Sequence, residues 1–292
     1  RFKGLNDKNG ADKAAVDVMR SELNKINMLG RVVIGEGELD EAPMLYIGEE
    51  LGTKKGINVD IAVDPVEGTN FVAKNLPGAI SVLAIAEKNN LFHAPETYME
   101  KIAIGQNFEK GTVDLDFSLE KNLKNLADAK NKKLSDLTVC LLNRERHNNI
   151  IDTLDKLKIN KKLITDGDVS GALYVTNEKF GVDMFIGIGG GPEGVLAASA
   201  LDATQCFFQG RFIFKEENEI ERAKQIGIHD LRKKYNINEI VSGDSIFSAT
   251  GITDGDLVKG ITVDEKYFYS ETLVSHRDSK TFEIIKMKEE II

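Results

Sequence analysis

The residues with the clearest chemical potential lie at positions 60–70, Asp-Ile-Ala-Val-Asp-Pro-Val-Glu-Gly-Thr-Asn. The apolar start predicts a buried strand that ends at Pro65, because proline donates no hydrogen bond and restricts the residue before it. Asp64 and Glu67 are hard oxygen ligands that repel each other unless a divalent cation lies between them. Thr69 could polarise a water molecule or cap the next turn. The residues alone leave open a metal site or a turn with solvated acids.

Three further stretches combine glycine with acidic side chains. Residues 35–46 read Gly-Glu-Gly-Glu-Leu-Asp-Glu-Ala-Pro-Met-Leu-Tyr, residues 165–168 read Thr-Asp-Gly-Asp, and residues 189–194 read Gly-Gly-Gly-Pro-Glu-Gly. Alternate glycines free the backbone, and a helix start after residues 189–191 offers N–H groups to an anion. Glu38, Asp40 and Glu41 are also the acids that a helix N-terminus prefers.

Together these motifs resemble the signatures of class II fructose-1,6-bisphosphatase, a branch of the lithium-sensitive, metal-dependent sugar and inositol phosphatases. Glu67 replaces the second Asp of the superfamily motif Asp-Pro-x-Asp-Gly-Thr, as is usual in this branch. The resemblance covers nearly the whole chain in order. It implies hydrolysis of the 1-phosphate of fructose 1,6-bisphosphate in gluconeogenesis. It also implies a fold combining α/β and α+β, a layered α-β-α-β-α sandwich of the metal-dependent sugar phosphatase type, with a further helix before residue 1.

The resemblance also implies the residues of the site. The metal ligands it implies are Asp12, Glu36, Asp64, Glu67 and Glu193. All are hard oxygen donors without His or Cys, so Mn²⁺ or Mg²⁺ is expected rather than zinc. The implied catalytic residues are Asp64, Glu67 and Thr69, with Thr69 aligning a metal-activated water. The implied substrate contacts are Glu67, Gly68, Thr69, Tyr98, Arg144, Glu145, Arg146, Asp166, Gly167, Asp168 and Gly190, with Lys8 as a further candidate.

The residue chemistry agrees with these roles and leaves alternatives. Arginines 144 and 146 can fork onto a distal phosphate, and carboxylates 166 and 168 can accept hydrogen bonds from sugar hydroxyls. Without the resemblance, Asp12 is favoured as a helix cap, and residues 144–146 as a solvated helix start. The alternative functions are a phosphatase for sedoheptulose bisphosphate or inositol phosphate, or a non-catalytic sugar-phosphate sensor.

Composition limits the classes of partner. The 292 residues include 47 acidic and 38 basic side chains, a formal charge of −9. This charge argues against binding nucleic acid or an anionic membrane. No apolar run is long enough to span a bilayer, so a cytoplasmic protein is expected, and the resemblance adds a homo-oligomer, a dimer or tetramer. Cys140 and Cys206 are expected to be buried reduced thiols, and the four histidines to be surface or structural residues.

The elements that must position these residues follow from hydrophobic periodicity. Helices are predicted at 11–29, 119–129, 144–157, 169–175, 193–201 and 216–227, and strands at 32–34, 79–86, 98–104, 111–116, 137–142, 162–165, 182–188, 207–214 and 245–252. Strands alternate with helices after residue 137, which predicts a parallel or mixed sheet with its site at the carboxyl ends. We therefore predict an α+β domain over 1–136 with most metal ligands, and an α/β domain over 137–292 with the sugar-phosphate contacts. The lysine-rich residues 130–133 mark the boundary as a solvated helix end.

Overall fold

The computed structural model describes residues 2–35 and 45–291. The chain forms two compact units, the first from Arg1–Ala94 with Ile240–Ile292 and the second from Pro95–Glu239. The helices are α1 Lys8–Leu23, α2 Thr69–Ala73, α3 Leu119–Ala129, α4 Asn148–Lys156, α5 Asp168–Leu173, α6 Gly191–Asp202, α7 Glu217–Gln225 and α8 Ile237–Ile240. The strands are β1 Met28–Ile34, β2 Glu50–Leu51, β3 Ile57–Glu67, β4 Ile80–Glu87, β5 Tyr98–Gln106, β6 Thr138–Leu142, β7 Asn160–Ile164, β8 Met184–Gly190, β9 Cys206–Ile213, β10 Tyr235–Asn236, β11 Ser245–Gly251, β12 Thr262–Val263, β13 Tyr267–His276 and β14 Thr281–Glu290.

The sheet of the first unit runs in the order β12-β13-β11-β4-β3-β1-β2, with β14 beside β13. Strands β1 and β3 are parallel, whereas β3, β4, β11 and β13 pair antiparallel. Helix α1 contributes Val16 and Leu23 to a core shared with the strand residues Val32, Ile61 and Val63. The helix ends earlier than the predicted residue 29, because the chain enters β1 at Met28.

The sheet of the second unit runs in the order β10-β9-β5-β8-β6-β7. Strand β6 is parallel to β7 and β8, whereas β5 is antiparallel to β8 and β9. The carboxyl ends of β6, β7 and β8 therefore share one sheet edge, which we call the carboxyl edge. Tyr98, at the start of β5, lies opposite Gly190 and so reaches the same edge. A core below it includes Ile102, Leu123, Leu141 and Met184.

The two units divide the chain differently from the predicted boundary after residue 136. Strand β5 precedes that boundary, yet it pairs with β8 and β9, which follow it. The C-terminal strand β11 pairs with β4 and returns to the first unit. Such long-range pairings leave no mark in local composition, so the lysine-rich segment was a misleading sign of a boundary.

Two predicted local features also differ from the structure. Residues 111–116 form turns rather than a strand, held by reciprocal hydrogen bonds of 2.9 Å between the backbone of Asp114 and the Asn122 side-chain amide. Lys130 and Lys132 both form ion pairs with the buried Asp183, at 2.5 and 2.8 Å, so this segment is not simply solvated. Buried carboxylates are normally paired in this way.

Other expectations agree with the structure. Both cysteines are free and buried, and burial raises the pKa of Cys140 to about 12. Within residues 2–35 and 45–291, we find no helix that combines the length and the apolar character needed to cross a membrane.

Candidate active site

The end of β3 carries the acids of the central motif through a β-bulge. Asp64 lies opposite Val82, and Glu67 lies opposite Ile80. Between these pairs the chain advances three residues along β3 but only two along β4, so β3 carries one extra residue. Pro65 falls inside this bulge, where a missing N–H is tolerated, and the strand therefore continues to Glu67 instead of ending at Pro65 as predicted. The bulge places two carboxylates within one bend, with Glu67 only 5% exposed.

Gly68 and Thr69 form the turn from β3 into α2. Gly68 has a left-handed backbone with φ of 88°, which glycine adopts without strain. The Thr69 hydroxyl lies 3.2 Å from both the Val66 carbonyl and Asp12 Oδ1, and its single hydrogen can be donated to one of them at a time. Since α2 has Gly68 at its N-cap and no side-chain capping bond, Thr69 is not the cap of this helix.

Asp12 belongs with this turn rather than with the start of α1. The N-cap of α1 is Asp7, whose carboxylate accepts a hydrogen bond from Gly10 N at 2.9 Å. Asp12 lies inside the helix, so its interpretation as a cap is wrong. Burial raises the pKa of Asp12, while the hydrogen bond from Thr69 and the charge of Lys8 act in the opposite direction. The first unit thus brings Asp12, Thr69 and Lys8 together.

The carboxyl edge of the second unit gathers most of the predicted sugar-phosphate contacts. The Arg146 guanidinium donates from Nε to the Ile188 carbonyl at 2.8 Å and lies 5.1 Å from the Tyr98 ring centre. Lys215, which the sequence analysis missed, places its Nζ 4.7 Å from the same ring. The Arg144 guanidinium nitrogen Nη2 lies 3.9 Å from Asp166 Oδ1. Arg144 and Arg146 are both exposed. Two cations on one aromatic ring suit recognition of an anion.

The Asp166, Gly167 and Asp168 segment forms the turn from β7 into α5. Gly167 has a φ of 85° and is the N-cap of α5, and Asp168 is its first residue. Asp168 is 8% exposed and forms an ion pair with the buried Lys101. Lys101 was also missed, although a lysine inside an apolar strand pattern is a sequence signal that a buried counter-charge is needed.

The Gly-rich run joins β8 to α6 and positions Glu193 in the first turn of that helix. A Cβ at Gly190 would lie 1.9 Å from Glu193 Oε2, so a larger residue there would displace the Glu193 carboxylate. Glu193 Oε2 is buried and has no hydrogen-bond partner among residues 2–35 and 45–291. A buried carboxylate oxygen without a partner carries a free-energy cost, which a bound cation would remove.

The predicted metal ligands are distributed over the chain. Asp12, Asp64 and Glu67 belong to the first unit and Glu193 to the second, whereas Glu36, like Glu38, Asp40 and Glu41, lies outside the described residues. Among residues 2–35 and 45–291, no group of three or more His, Cys, Asp or Glu side chains is arranged to hold a metal ion. The donors nevertheless fit a hard divalent cation, since all are carboxylates and one, Glu193, has a buried oxygen without a partner among the described residues.

Comparison with known proteins identifies the family. Residues 1–289 match the family described as bacterial fructose-1,6-bisphosphatase, glpX-encoded. The chain belongs to this family. It is 43% identical to the D-fructose 1,6-bisphosphatase class 2/sedoheptulose 1,7-bisphosphatase of Synechococcus sp. (strain JA-2-3B'a(2-13)), over 98% of this chain and 89% of that protein. It is 42% identical to the fructose-1,6-bisphosphatase 1 class 2 of Escherichia coli (strain K12), over the same shares, and to the fructose-1,6-bisphosphatase class 2 of Haemophilus influenzae, over 97% and 89%.

Membership of the bacterial fructose-1,6-bisphosphatase family confirms the resemblance and the expected fold class. Within each unit, helices pack on a mixed sheet, as that fold class requires. The protein is therefore a metal-dependent phosphatase of this family. The individual roles of the site residues stay predictions.

The buried side chain of His147 connects two strands near the carboxyl edge. The ring is 0% exposed, and its two nitrogens bond the Leu142 carbonyl at 2.7 Å and the Ile188 N–H at 2.8 Å. Only a neutral ring can donate from Nδ1 and accept at Nε2. Burial accordingly lowers the pKa of His147. The expectation of a structural role is confirmed for this histidine, which connects the ends of β6 and β8.

This geometry predicts a pH-dependent contribution of His147 to stability. With its folded pKa below the unfolded value, the unfolded chain binds the proton more readily, so the contribution is present above about pH 6.5 and declines as the pH falls. We expect the wild-type protein to lose more free energy of unfolding than His147→Gln between about pH 7.5 and 5.5, measured by urea unfolding. The exposed His229→Gln serves as the control, and equal pH slopes for wild type and His147→Gln would contradict the prediction.

Proposed function

We propose that this protein hydrolyses the 1-phosphate of fructose 1,6-bisphosphate, releasing fructose 6-phosphate and inorganic phosphate, and that it acts in gluconeogenesis. The proposal rests mainly on one observation at the carboxyl edge. There the exposed guanidinium of Arg146 and the ammonium of Lys215 both lie against the aromatic ring of Tyr98. A chain with a net charge of −9 needs such local cations to hold an anionic substrate.

The carboxyl edge is proposed to bind the sugar and the distal phosphate. Arg144 and Arg146 project from the segment after β6 and can each offer a planar pair of donors to phosphate oxygens. Asp166 and Asp168 can accept hydrogen bonds from sugar hydroxyls. The other substrate contacts that the family resemblance implies are Tyr98, Glu145, Gly167 and Gly190 in this unit and Glu67, Gly68 and Thr69 in the first.

Residues of the first unit are proposed to serve the reacting phosphate. Asp12, Glu36, Asp64 and Glu67 of this unit would hold Mg²⁺ or Mn²⁺, and Glu193 of the second unit is the fifth proposed ligand. Such a cation would neutralise charge on the phosphoryl group and acidify the attacking water. When Thr69 donates its hydrogen to Val66 O or Asp12, its remaining lone pairs can accept from that water and hold it in line with phosphorus. Lys8 adds a positive charge near Asp12.

Sedoheptulose 1,7-bisphosphate is a second candidate substrate. A relative with 43% identity carries both bisphosphatase names. The two sugars differ by one hydroxylated carbon, and the exposed arginines of the carboxyl edge can reach a distal phosphate at somewhat different distances because their side chains are long. A cytoplasmic location and a homo-oligomeric state remain predictions.

Phosphate release by the purified protein tests the proposal. The substrates are fructose 1,6-bisphosphate, sedoheptulose 1,7-bisphosphate, fructose 6-phosphate and inositol 1-phosphate, each with Mg²⁺, with Mn²⁺ and with a chelator. We expect metal-dependent release of one phosphate from the bisphosphates and little from the monophosphates. Binding of fructose 1,6-bisphosphate without turnover in either metal would instead support the sugar-phosphate sensor.

Arg146→Ala is expected to reduce the preference for a bisphosphate. A charge-assisted hydrogen bond to phosphate contributes about 1.5–3 kcal/mol, so kcat/KM for fructose 1,6-bisphosphate should fall roughly 10- to 100-fold, mostly through KM. Hydrolysis of a monophosphate without a distal phosphate should change much less. The exposed Arg232→Ala is the control for loss of a surface charge in the same unit. An equal loss for both substrates would argue against a distal-phosphate contact.

A further inference from the structure

Lys101 lies in the middle of β5 and is followed by the apolar residues Ile102, Ala103 and Ile104. Its side chain is 1% exposed, and it is one of the largest fully buried side chains among the described residues. Burying an ammonium group is costly unless strong partners replace its water. The partners of Lys101 therefore indicate what it contributes.

Both partners of Lys101 stand at the carboxyl edge. Its Nζ forms an ion pair with the Asp168 carboxylate and donates a hydrogen bond to the Gly190 carbonyl at 2.8 Å. Asp168 begins α5 after β7, and Gly190 ends β8 before α6. One buried cation thus connects two helix starts, each carrying a proposed substrate contact.

Gly189, in β8, provides the space for this contact. A Cβ at Gly189 would lie 2.2 Å from Asp168 Oδ2 and 3.0 Å from Lys101 Nζ. Glycine at position 189 is therefore required for the approach of the ion pair, beyond any role of the Gly-rich run in binding an anion.

We propose that Lys101 is a positioning residue that holds the Asp168 carboxylate and the Gly190 backbone in the geometry that binds the sugar of the substrate. Lys101 is too buried to touch a substrate, so it acts through Asp168. The inference rests on the proposed function, because that function makes Asp168 and Gly190 substrate contacts. The inference adds Lys101 to Asp168 and Gly190 as a residue that determines how tightly the site binds the sugar. It assigns Lys101 no role in binding phosphate.

Calorimetric titration in the presence of Mn²⁺ tests this inference with two probes, fructose 6-phosphate and inorganic phosphate. Lys101→Met keeps most of the length of the side chain and removes its charge. We expect it to weaken fructose 6-phosphate binding by at least about tenfold and phosphate binding by less than about threefold, since contacting residues are strongly coupled. Lys130→Met, which removes a cation from the buried Asp183 in the same unit, is the matched control and should change neither affinity.

A double-mutant cycle asks whether Lys101 works through Asp168. Asp168→Asn should weaken fructose 6-phosphate binding by itself, and adding Lys101→Met should then cost less than about threefold more. Unchanged fructose 6-phosphate affinity in Lys101→Met, an equal loss for both probes, or additive losses in the double variant would each overturn the inference.

The double variant also covers a failure of Lys101→Met to fold, because it removes both buried charges and leaves no carboxylate unpaired. In that case the inference is tested by comparing the fructose 6-phosphate affinity of the double variant with that of Asp168→Asn. A further tenfold loss of this affinity in the double variant overturns the inference. Failure of the proposed function would appear separately, as absence of fructose 1,6-bisphosphate hydrolysis by the wild-type protein.

Discussion

Glu193→Gln is expected to lower kcat by at least about a hundredfold at saturating metal, while the protein stays folded. The physical reason lies in its carboxylate, which has one buried oxygen that no group in the described part of the chain hydrogen-bonds. Such an oxygen is costly in the folded protein, and a neutral amide is less costly to bury than a charge. The variant should therefore melt at the same temperature as the wild-type protein without metal, or higher, despite its lost activity.

Steady-state kinetics over a range of Mn²⁺ concentrations, together with thermal melts, measure both parts of this prediction. Glu219→Gln is the matched control, since Glu219 lines the same recess as Tyr98, Gly190 and Glu193. The Glu219 carboxylate accepts hydrogen bonds from Lys215 N and Glu216 N, so it is already satisfied. Near-normal kcat in Glu193→Gln would remove Glu193 from the metal ligands.

Thr69→Ala is expected to lower kcat by about a hundredfold or more with little change in KM. The hydroxyl is proposed to align the attacking water, an interaction realised mainly in the transition state. Thr69→Ser keeps the hydroxyl and loses one methyl group, so it should retain much more activity. Thr69 makes no capping bond to α2, and its hydroxyl contacts with Val66 O and Asp12 are long, at 3.2 Å, so the alanine variant should lose little stability.

Thr253→Ala provides the opposite outcome for comparison. The Thr253 hydroxyl is buried in the same unit and accepts a hydrogen bond from Ala79 N at 2.9 Å, so its loss should lower the melting temperature and spare kcat. Kinetics and melts of Thr69→Ala, Thr69→Ser and Thr253→Ala belong in one experiment. A Thr69→Ala protein that keeps its kcat would rule out the proposed alignment of water.

Much of the carboxyl edge could be predicted from the sequence. Alternating strands and helices after residue 137 place the ends of parallel strands at one edge, and this pattern by itself predicts Asp166 and Gly190 there. The buried residues that hold this edge in place were not predicted. Lys101 and His147 act through partners distant in sequence, Asp168 for the lysine and the Ile188 N–H for the histidine, and only the folded chain brings these groups together.

The same division holds for the first unit. The types of Asp64, Glu67 and Thr69 suit a hard cation, but by themselves they leave open a metal site or a turn with solvated acids. The resemblance to the phosphatase family is what favours the metal site. The tertiary structure decided that Asp7 caps α1 while Asp12 meets Thr69, and that a bulge carries β3 past Pro65. The tertiary structure also decided that the C-terminal strand β11 pairs with β4 in the sheet of the first unit. Pairing between distant segments depends on which buried surfaces fit together, and local sequence does not record that.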